Sequence, residues 1–401
     1  MNLFRIEKDY IGQMQVPKDA YYGIQTARAI ENFPISGQKS QPVFTNAIVY
    51  IKKAAAMTNV ELGCLDSKIG NMIILACDRI LNGEFQQQFP VDIYQAGAGT
   101  SHHMNVNEVI ANVAIEMLGG VKGDYSSVHP NDHVNYGQST NDVYPTAMRI
   151  AILQLARKLV KNLYDLTETF NQKAQAFDSI VKSGRTHLQD AAPIRVGQEF
   201  SGYAESLSKS IQRIGRACES LKELGIGGSA VGTGINTHPE YAKIIIEKLR
   251  KMTNLDVKES KNRFEAMQSN APFVEFSGSL RTLAVELIRI SNDLRLMNSG
   301  PYTGLAEIEF ITEKYGAKNL HGYALKLGDI GIFGCGYADV GMHQLNDQEF
   351  FDTLKKAHDS LEGIKKKLMV THVQPNDCII GLKIPEWGSV GVRKAIEEFK
   401  P

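Results

Sequence analysis

The strongest constraint in this sequence is a set of three long stretches in which apolar residues recur every three or four positions. They lie between Pro145 and Phe170, between Phe200 and Leu221, and between Phe273 and Met297. This spacing places the apolar side chains on one face of an α-helix, whereas a strand needs them at every second position. Helices of roughly 30 Å usually pack lengthwise against other helices or other subunits. The sequence therefore predicts a long-helix bundle and favours an oligomer.

The patterns on either side of these stretches divide the chain into three predicted parts. A smaller, mainly helical N-terminal domain is expected over residues 1–139, and the bundle over residues 140–309. Within the latter, Thr237 and Glu240 have the spacing of a capping box for a shorter helix over 241–252.

After residue 309 the pattern changes to short apolar runs separated by glycines. Strands, a helix, a further strand and a last helix are predicted over 325–332, 346–364, 368–371 and 389–399. This order is typical of an α/β segment, here residues 310–401, so the expected fold class is mainly α with a short α/β segment.

The composition argues against several classes of binding partner. Lys plus Arg equals Asp plus Glu at 44 each, so nothing in the net charge suggests nucleic acid or a membrane surface. The five cysteines are far apart and lack the CxxC spacing of a metal or redox site. The first residues carry charges, and no run of about 18 apolar residues occurs. We expect a soluble, cytoplasmic protein with small-molecule ligands and no metal.

Three polar clusters in loops or at helix starts could hold a carboxylate. They comprise residues 97–101, 138–142 and 184–190. The first precedes a predicted helix over 104–118, and the second precedes the helix that Pro145 is predicted to open. Free backbone N–H groups and the positive end of a helix favour an anion there. Taken alone, Ser139, Thr140 and Asn141 would be ordinary helix caps, and His187 a structural histidine.

Further short strings accompany these clusters in a fixed order. The full set is residues 21–26, 31–35, 97–101, 105–112, 138–142, 184–190, 232–236 and 292–295. Together they make residues 4–309 similar to the aspartase/fumarase family of lyases. Gln138-Ser139-Thr140-Asn141-Asp142 resembles the ammonia-lyase branch, because fumarate hydratases usually have serine at the position of Thr140.

The resemblance implies an elimination of ammonia from aspartate that gives fumarate without a cofactor. By analogy, Thr100, Ser139 and Thr140 would bind the β-carboxylate, which gains charge when Cβ loses its proton. Thr186 would bind the α-carboxylate. Asn141 and His187 would bind the amino group, with His187 as the accessory catalytic residue. The family builds each active site from three chains of a homotetramer.

Beyond Ile308 the sequence departs from the family. The family continues into a mobile loop of Gly-Ser-Ser-x-Met-Pro-x-Lys-x-Asn-Pro type, which is missing from this sequence. That loop carries the general-base serine and the lysine and asparagine that clamp the α-carboxylate. The remaining bundle helices of the family are also missing, so apolar helix faces would lack partners. Slow turnover of aspartate and self-association or poor solubility are therefore expected.

Residues 318–401 instead resemble an internal fragment of calcineurin-like metallophosphoesterases. Those enzymes hold two metals with several motifs, of which only Thr371-His372 has a counterpart here. We therefore interpret His372 as structural and Gly328-Asp329 as a turn. The chain would join an N-terminal lyase part, residues 4–309, to a segment of different origin, through natural fusion, a frameshift or an assembly error.

His102 and His103 stand where aspartases generally carry a small residue or asparagine. They are interpreted either as surface or supporting groups, or, for His103, as a residue that changes hydrogen bonding near the β-carboxylate.

Three functions compete with the ammonia-lyase interpretation. One is fumarate hydratase or another succinyl-type lyase. Another is a non-catalytic protein that keeps the clusters as a dicarboxylate-binding site or an assembly surface. The third, which the sequence favours least, is a phosphoesterase that needs a divalent metal.

Overall fold

The computed structural model describes residues 3–95, 97–300, 303–308, 322–327, 330–335 and 366–371. These residues belong to two compact units, one within Met1–Ile288 and the other within Arg289–Pro401. No helix in the described ranges is both long and apolar enough to cross a membrane.

The first unit opens with a small hairpin followed by four helices. Strands β1 (Phe4–Lys8) and β2 (Gln13–Pro17) pair antiparallel. The helices are α1 (Ile24–Asn32), α2 (Pro42–Glu61), α3 (Ser67–Leu81) and α4 (Thr100–Met117). A 3₁₀ turn over Gln86–Gln88 and a π-helical turn over Pro130–Val134 lie in the connections. Most of α4 is buried, as is typical of a helix that is apolar around most of its circumference.

Three long helices follow and confirm the predicted bundle. They are α5 (Thr140–Ala176), α6 (Val196–Leu221) and α9 (Ala271–Met297). Helices α5 and α6 run antiparallel, since contacts join opposite ends of the two. Phe170, near the end of α5, lies 6.0 Å from Phe200 between ring centroids. Arg149, near its start, donates to the carbonyl of Ser220 at 2.8 Å.

Shorter elements connect the long helices. Strands β3 (Val181–Thr186) and β4 (Gln189–Arg195) form an antiparallel hairpin between α5 and α6. After α6, β5 (Glu223–Leu224) pairs in parallel with β6 (Lys258–Glu259). Helix α7 (Tyr241–Thr253) lies between these two strands in the chain, and α8 (Arg263–Gln268) precedes α9.

Two predicted helix starts and one predicted cap are wrong. Helix α4 begins at Thr100 and not at Met104, whereas α7 confirms the helix predicted over 241–252. Helix α5 begins at Thr140 and not at Pro145, because Ser139 caps it one turn earlier. Proline is tolerated there since it removes a single intrahelical bond close to the helix start. The capping box at α7 does not form: Thr237 donates its hydroxyl to the carbonyl of Gly234 at 2.5 Å, and Glu240 makes no side-chain cap.

In the second unit the described strands form one sheet of order β7-β8-β9. They are β7 (Gly322–Leu327), β8 (Ile330–Cys335) and β9 (Lys366–Thr371). β7 is antiparallel to β8, and β8 is parallel to β9. The predicted strands are thus confirmed. The helices predicted over 346–364 and 389–399, the turn at Gly328-Asp329 and His372 lie outside the described residues.

Candidate functional site

The first two polar clusters lie side by side at the start of α5. Thr100 is the first residue of α4 and follows Gly99, whose φ is +102°. A Cβ atom on Gly99 would come within 2.4 Å of the Tyr144 ring in the second turn of α5. Only glycine fits both the conformation and this close approach. The helix starts that carry Thr100 and Thr140 are therefore packed against each other.

The start of α5 is closed by a capping box. The hydroxyl of Ser139 accepts from the N–H of Asn141 at 3.2 Å, and Asp142 Oδ1 accepts from the N–H of Ser139 at 2.9 Å. The capping interpretation of Ser139 is confirmed. Its hydroxyl uses an acceptor lone pair in the cap, so its hydrogen can still be donated.

A glycine-rich loop is fastened to the same helix start. Asp142 Oδ2 accepts from the N–H groups of Gly227 and Ser229 at 3.1 and 3.0 Å. The amide of Asn141 donates to the carbonyl of Ala230 at 2.8 Å. The string 232–236 follows directly after these residues in the loop. Burial raises the pKa of the Asp142 carboxyl to about 6.

Behind Thr140 lies a buried lysine that the sequence analysis missed. The ammonium of Lys52 in α2 is 2.6 Å from His103 Nε2, 2.7 Å from Asn135 Oδ1 and 2.9 Å from Gln138 Oε1. On the other side of the ring, His103 Nδ1 is 2.8 Å from Thr140 Oγ1. We call these residues the Lys52 cluster: Lys52, His103, Asn135, Gln138 and Thr140.

The electrostatics of the Lys52 cluster follow from its burial. Lys52 is fully buried, and this lowers the pKa of its ammonium to about 7. Burial, together with the neighbouring Lys52, holds the pKa of His103 well below its ordinary value. The imidazole is therefore neutral at pH 7 and can accept at one nitrogen while it donates at the other.

The two histidines that depart from the family pattern are both interior residues. His102 and His103 are each 1% exposed, so their interpretation as surface groups is wrong. His102 contacts the hydroxyls of Ser40 and Thr45 at 3.3 and 3.1 Å, whereas His103 contacts Thr140. The contact places His103 beside Thr140, and its effect on a bound carboxylate stays a prediction.

The third cluster lies at the opposite end of α5. Thr186 and His187 are exposed at the tip of the β3–β4 hairpin. The base of the hairpin is bound to the end of α5, because Val196 N–H donates to Ile180 and Gly197 N–H donates to Phe177. Helix α5 has 37 residues and is therefore about 55 Å long. A six-residue strand spans about 20 Å, so the tip cannot reach Thr140 of the same chain.

A signal for Lys52 is present in the sequence. Ile48, Ile51, Lys52 and Ala55 have the spacing of one helix face, and the lysine interrupts an otherwise apolar stripe. Lysine is almost never fully buried without a specific partner, so a polar partner on another element could have been expected. Its identity depends on packing and could not have been inferred.

Among the described residues, no group of three or more His, Cys, Asp and Glu side chains is placed to hold a metal ion.

Comparison with known proteins gives consistent matches. A family described as lyase matches residues 12–317. The chain is 47% identical over 319 residues to the aspartate ammonia-lyase of Bacillus subtilis, which covers 80% of this chain and 67% of that protein. It is 48% identical over 306 residues to the aspartate ammonia-lyase of Helicobacter pylori, covering 76% and 65%. The chain thus spans about two thirds of the length of these relatives.

Solved structures agree with the described fold. A fumarate lyase:delta crystallin from Brucella melitensis has a TM-score of 0.74 at 46% identity, covering 76% of this chain and 67% of that chain. A class II fumarase from Schistosoma mansoni has a TM-score of 0.75 at 31% identity, covering 89% and 75%. The resemblance of residues 318–401 to metallophosphoesterases has no support in these comparisons.

Proposed function

This chain belongs to the lyase family, within the aspartase/fumarase superfamily, and is by family a carbon–nitrogen lyase; from this premise we propose that it acts as an aspartate ammonia-lyase. In that reaction ammonia leaves the α-carbon of aspartate, the β-carbon loses a proton, and fumarate is formed. The proposal includes a cytoplasmic location, with which the free thiols of Cys64, Cys77 and Cys218 agree.

The observation that carries the proposal is the arrangement of donors around Thr140. Thr100, Ser139 and Thr140 lie at two packed helix starts, where backbone N–H groups and the positive helix end favour a carboxylate. Removing the Cβ proton places a second negative charge on the β-carboxylate. Hydroxyl donors held in place before the reaction stabilise that charge, as donors do in an oxyanion hole.

The length of α5 supports a site shared between chains. Thr186 and His187 lie at the end of α5 that is remote from Thr140, so one chain cannot present both clusters to one ligand. An antiparallel partner would bring its hairpin tip beside the first two clusters. We propose a homotetramer in which the hairpin tip of one chain meets the first two clusters of another. Thr186 of that tip binds the α-carboxylate, and His187 of the same tip binds the amino group together with Asn141 of the other chain.

A complementation experiment tests this arrangement. Thr140→Val removes a hydroxyl at the first site, and His187→Ala removes the imidazole at the hairpin tip. Each variant alone should bind aspartate about three- to tenfold more weakly than the wild type in calorimetry, the range of one hydrogen bond. Aspartate is the ligand because succinate has no amino group for His187 to bind. Co-refolded in equal amounts, they should recover binding in roughly a quarter of the sites, since random mixing unites the two intact parts at that frequency.

The control mixes His187→Ala with a double variant that carries Thr140→Val and His187→Ala. Neither chain then has an intact hairpin tip, so mixing cannot restore a site. Recovery in the test mixture, and not in the control mixture, supports the shared site. Full binding by either single variant, or no recovery in the mixture, contradicts it.

Two further functions have specific observations in their favour. The likeness to a class II fumarase, over 89% of this chain, favours a fumarate hydratase or another succinyl-type lyase. Fumarate production from malate and not from aspartate would select it. The lack of the family's serine loop after Ile308 favours a non-catalytic dicarboxylate-binding protein. Succinate binding without turnover of either substrate would select that function.

A further inference from the structure

We infer that His103, held by Lys52, is a positioning residue that makes the hydroxyl of Thr140 donate its hydrogen to the carboxylate of a bound ligand. The inference rests on the proposed function and deepens it, because it specifies how the first cluster is oriented. His103 itself does not have to contact the ligand.

The donor and acceptor of each hydrogen bond in the Lys52 cluster can be assigned by starting from Gln138. Its Nε2 lies 3.1 Å from the carbonyl of Val134 and 3.3 Å from the carbonyl of Tyr136. Both are acceptors, so Nε2 must be the atom that faces them. The amide is thereby oriented, and its Oε1 points to Lys52 at 2.9 Å.

Asn135 is oriented in the same way. Its Nδ2 donates to the carbonyl of Gln138 at 3.2 Å, which leaves Oδ1 facing Lys52 at 2.7 Å. Burial lowers the pKa of Lys52 to about 7, so below that pH its amine is an ammonium, which has three donors and no acceptor. Two of its hydrogens go to the two amide oxygens, and the third goes to His103 Nε2 at 2.6 Å.

The tautomer of His103 follows because its Nε2 accepts a hydrogen bond from Lys52. A neutral imidazole that accepts at Nε2 carries its hydrogen at Nδ1. His103 therefore donates from Nδ1 to Thr140 Oγ1 at 2.8 Å. The oxygen of the hydroxyl accepts from the ring, and the hydroxyl hydrogen is left for another acceptor.

Other helical threonines of the protein use this hydrogen differently. Thr58, Thr167 and Thr253 donate to the carbonyl four residues earlier, each at 2.7 Å. For Thr140 that carbonyl is Tyr136, which lies before the helix and accepts from Asn59 Nδ2 at 3.1 Å. In the described part of the chain, no protein acceptor takes the Thr140 hydroxyl hydrogen. A ligand oxygen can do so.

Two substitutions of His103 test separately its hydrogen bond to Thr140 and its hydrogen bond to Lys52. Asparagine places its amide nitrogen near the position of Nδ1, so His103→Asn keeps a donor to Thr140 but does not reach Lys52. Glutamine places its amide near the position of Nε2, so His103→Gln keeps a partner for Lys52 but loses the donor to Thr140. The pair therefore tests direction and not only the presence of a polar residue.

The measured quantity is the dissociation constant of succinate for the full-length protein. Thr140→Val and His103→Gln should each weaken binding about three- to tenfold, the range of one hydrogen bond. His103→Asn should bind within about twofold of the wild type. His103→Gln combined with Thr140→Val should be no weaker than Thr140→Val alone, because His103 acts through that hydroxyl.

His102→Asn is the matched control. His102 is the preceding residue in the same helix and is equally buried, but it contacts Ser40 and Thr45. Its substitution should leave the dissociation constant unchanged. Additive losses in the double variant, or equal weakening by His103→Asn and His103→Gln, would overturn the inference.

Nitrogen NMR of ¹⁵N-histidine-labelled protein supplies a test that needs no ligand. Below pH 7, where Lys52 is an ammonium, the resonance that disappears in His103→Asn should show a protonated Nδ1 and an unprotonated Nε2. A protonated Nε2 would overturn the inference even if succinate binds. If the tautomer is as expected and the wild type binds no dicarboxylate, then the proposed function fails together with the role in binding, while the hydrogen-bond direction stands.

Discussion

Glu108 connects two helices that lie far apart in the sequence. It is almost completely buried in α4, and its carboxylate accepts from the N–H groups of Gly23, Gln25 and Thr26 and from the Thr26 hydroxyl. These N–H groups belong to the first turn of α1, whose N-cap Gly23 offers no side chain. Glu108 therefore caps α1 from another helix.

Replacing Glu108 with alanine should lower the free energy of unfolding by about 3 kcal/mol, since several buried donors lose their acceptor. Urea denaturation followed by circular dichroism measures this change. Glu116→Gln is the control in the same helix, because Glu116 is exposed and its bond to the Tyr21 hydroxyl is at the surface. A loss below about 0.5 kcal/mol in Glu108→Ala would show that water replaces the carboxylate.

His102 predicts a pH dependence of stability. Burial lowers its pKa from 6.5 to about 4, so the unfolded chain takes up a proton at a higher pH than the folded chain. The contribution of neutral His102 is present above pH 6.5 and is lost as pH falls toward 4.

The difference in unfolding free energy between wild type and His102→Asn should therefore shrink by about 3 kcal/mol across this window, at 1.36 kcal/mol for each pKa unit. Urea denaturation at several pH values between 4 and 7 measures it. A difference that does not change with pH would contradict the depressed pKa of His102.

At the scale of elements, the β3–β4 hairpin has an unusual turn. Thr186 pairs with Gln189, so His187 and Leu188 form a two-residue loop, and both have positive φ, at 49° and 62°. This conformation suits a type I′ turn, for which Asn-Gly is the favoured sequence. A left-handed conformation costs a non-glycine residue roughly 1–2 kcal/mol. Strain of this kind often marks a position kept for function, in agreement with the proposed role of His187.

Leu188→Gly should relieve this strain and stabilise the hairpin by about 1 kcal/mol. Hydrogen exchange of the amides that pair β3 with β4 measures the local stability. Leu188→Ala is the control, since it removes the same exposed side chain but keeps the Cβ atom responsible for the strain. Faster exchange in Leu188→Gly than in wild type would contradict the expectation.

At the scale of the whole molecule, the long helices present apolar side chains to solvent. Exposed examples are Leu155 and Tyr164 on α5, and Val274, Val285 and Ile288 on α9. Val274, Val285 and Ile288 have the spacing of one helix face, and apolar surface of this kind usually marks an interaction site. We expect sedimentation velocity to show an oligomer, and we expect Leu155→Lys combined with Val285→Lys to weaken it. A monodisperse monomer of the unmodified protein would contradict this prediction and the shared site together.

The second prediction for the whole molecule concerns rate. The proposed site offers carboxylate donors, whereas the sequence contains no string like the loop in which the family resemblance places the general-base serine and the clamp residues. A positioned base contributes about 100- to 10,000-fold, and orientation adds to this. This polypeptide should therefore deaminate aspartate at least about 1,000-fold more slowly than a complete family member. Fumarate absorbance measures the rate. An ordinary rate would refute the prediction, and a His187→Ala variant would then show whether imidazole replaces the serine.

The sequence by itself determined the long helices, the strands after residue 321 and the family, because periodicity and short motifs are local properties of the chain. It also located Ser139 at a helix start, where a hydroxyl caps the helix whatever packs around it.

Only the tertiary structure decided which polar residues meet. Lys52 and His103 are 51 residues apart, and their contact depends on how α2 packs against α4. Their direction of donation depends on amides at Asn135 and Gln138, which are oriented by neighbouring carbonyls. Hydrogen bonds require ångström-level placement of both partners, and a one-dimensional pattern carries no such information. For the same reason the wide separation of His187 from Thr140 became visible only once the length and direction of α5 were known.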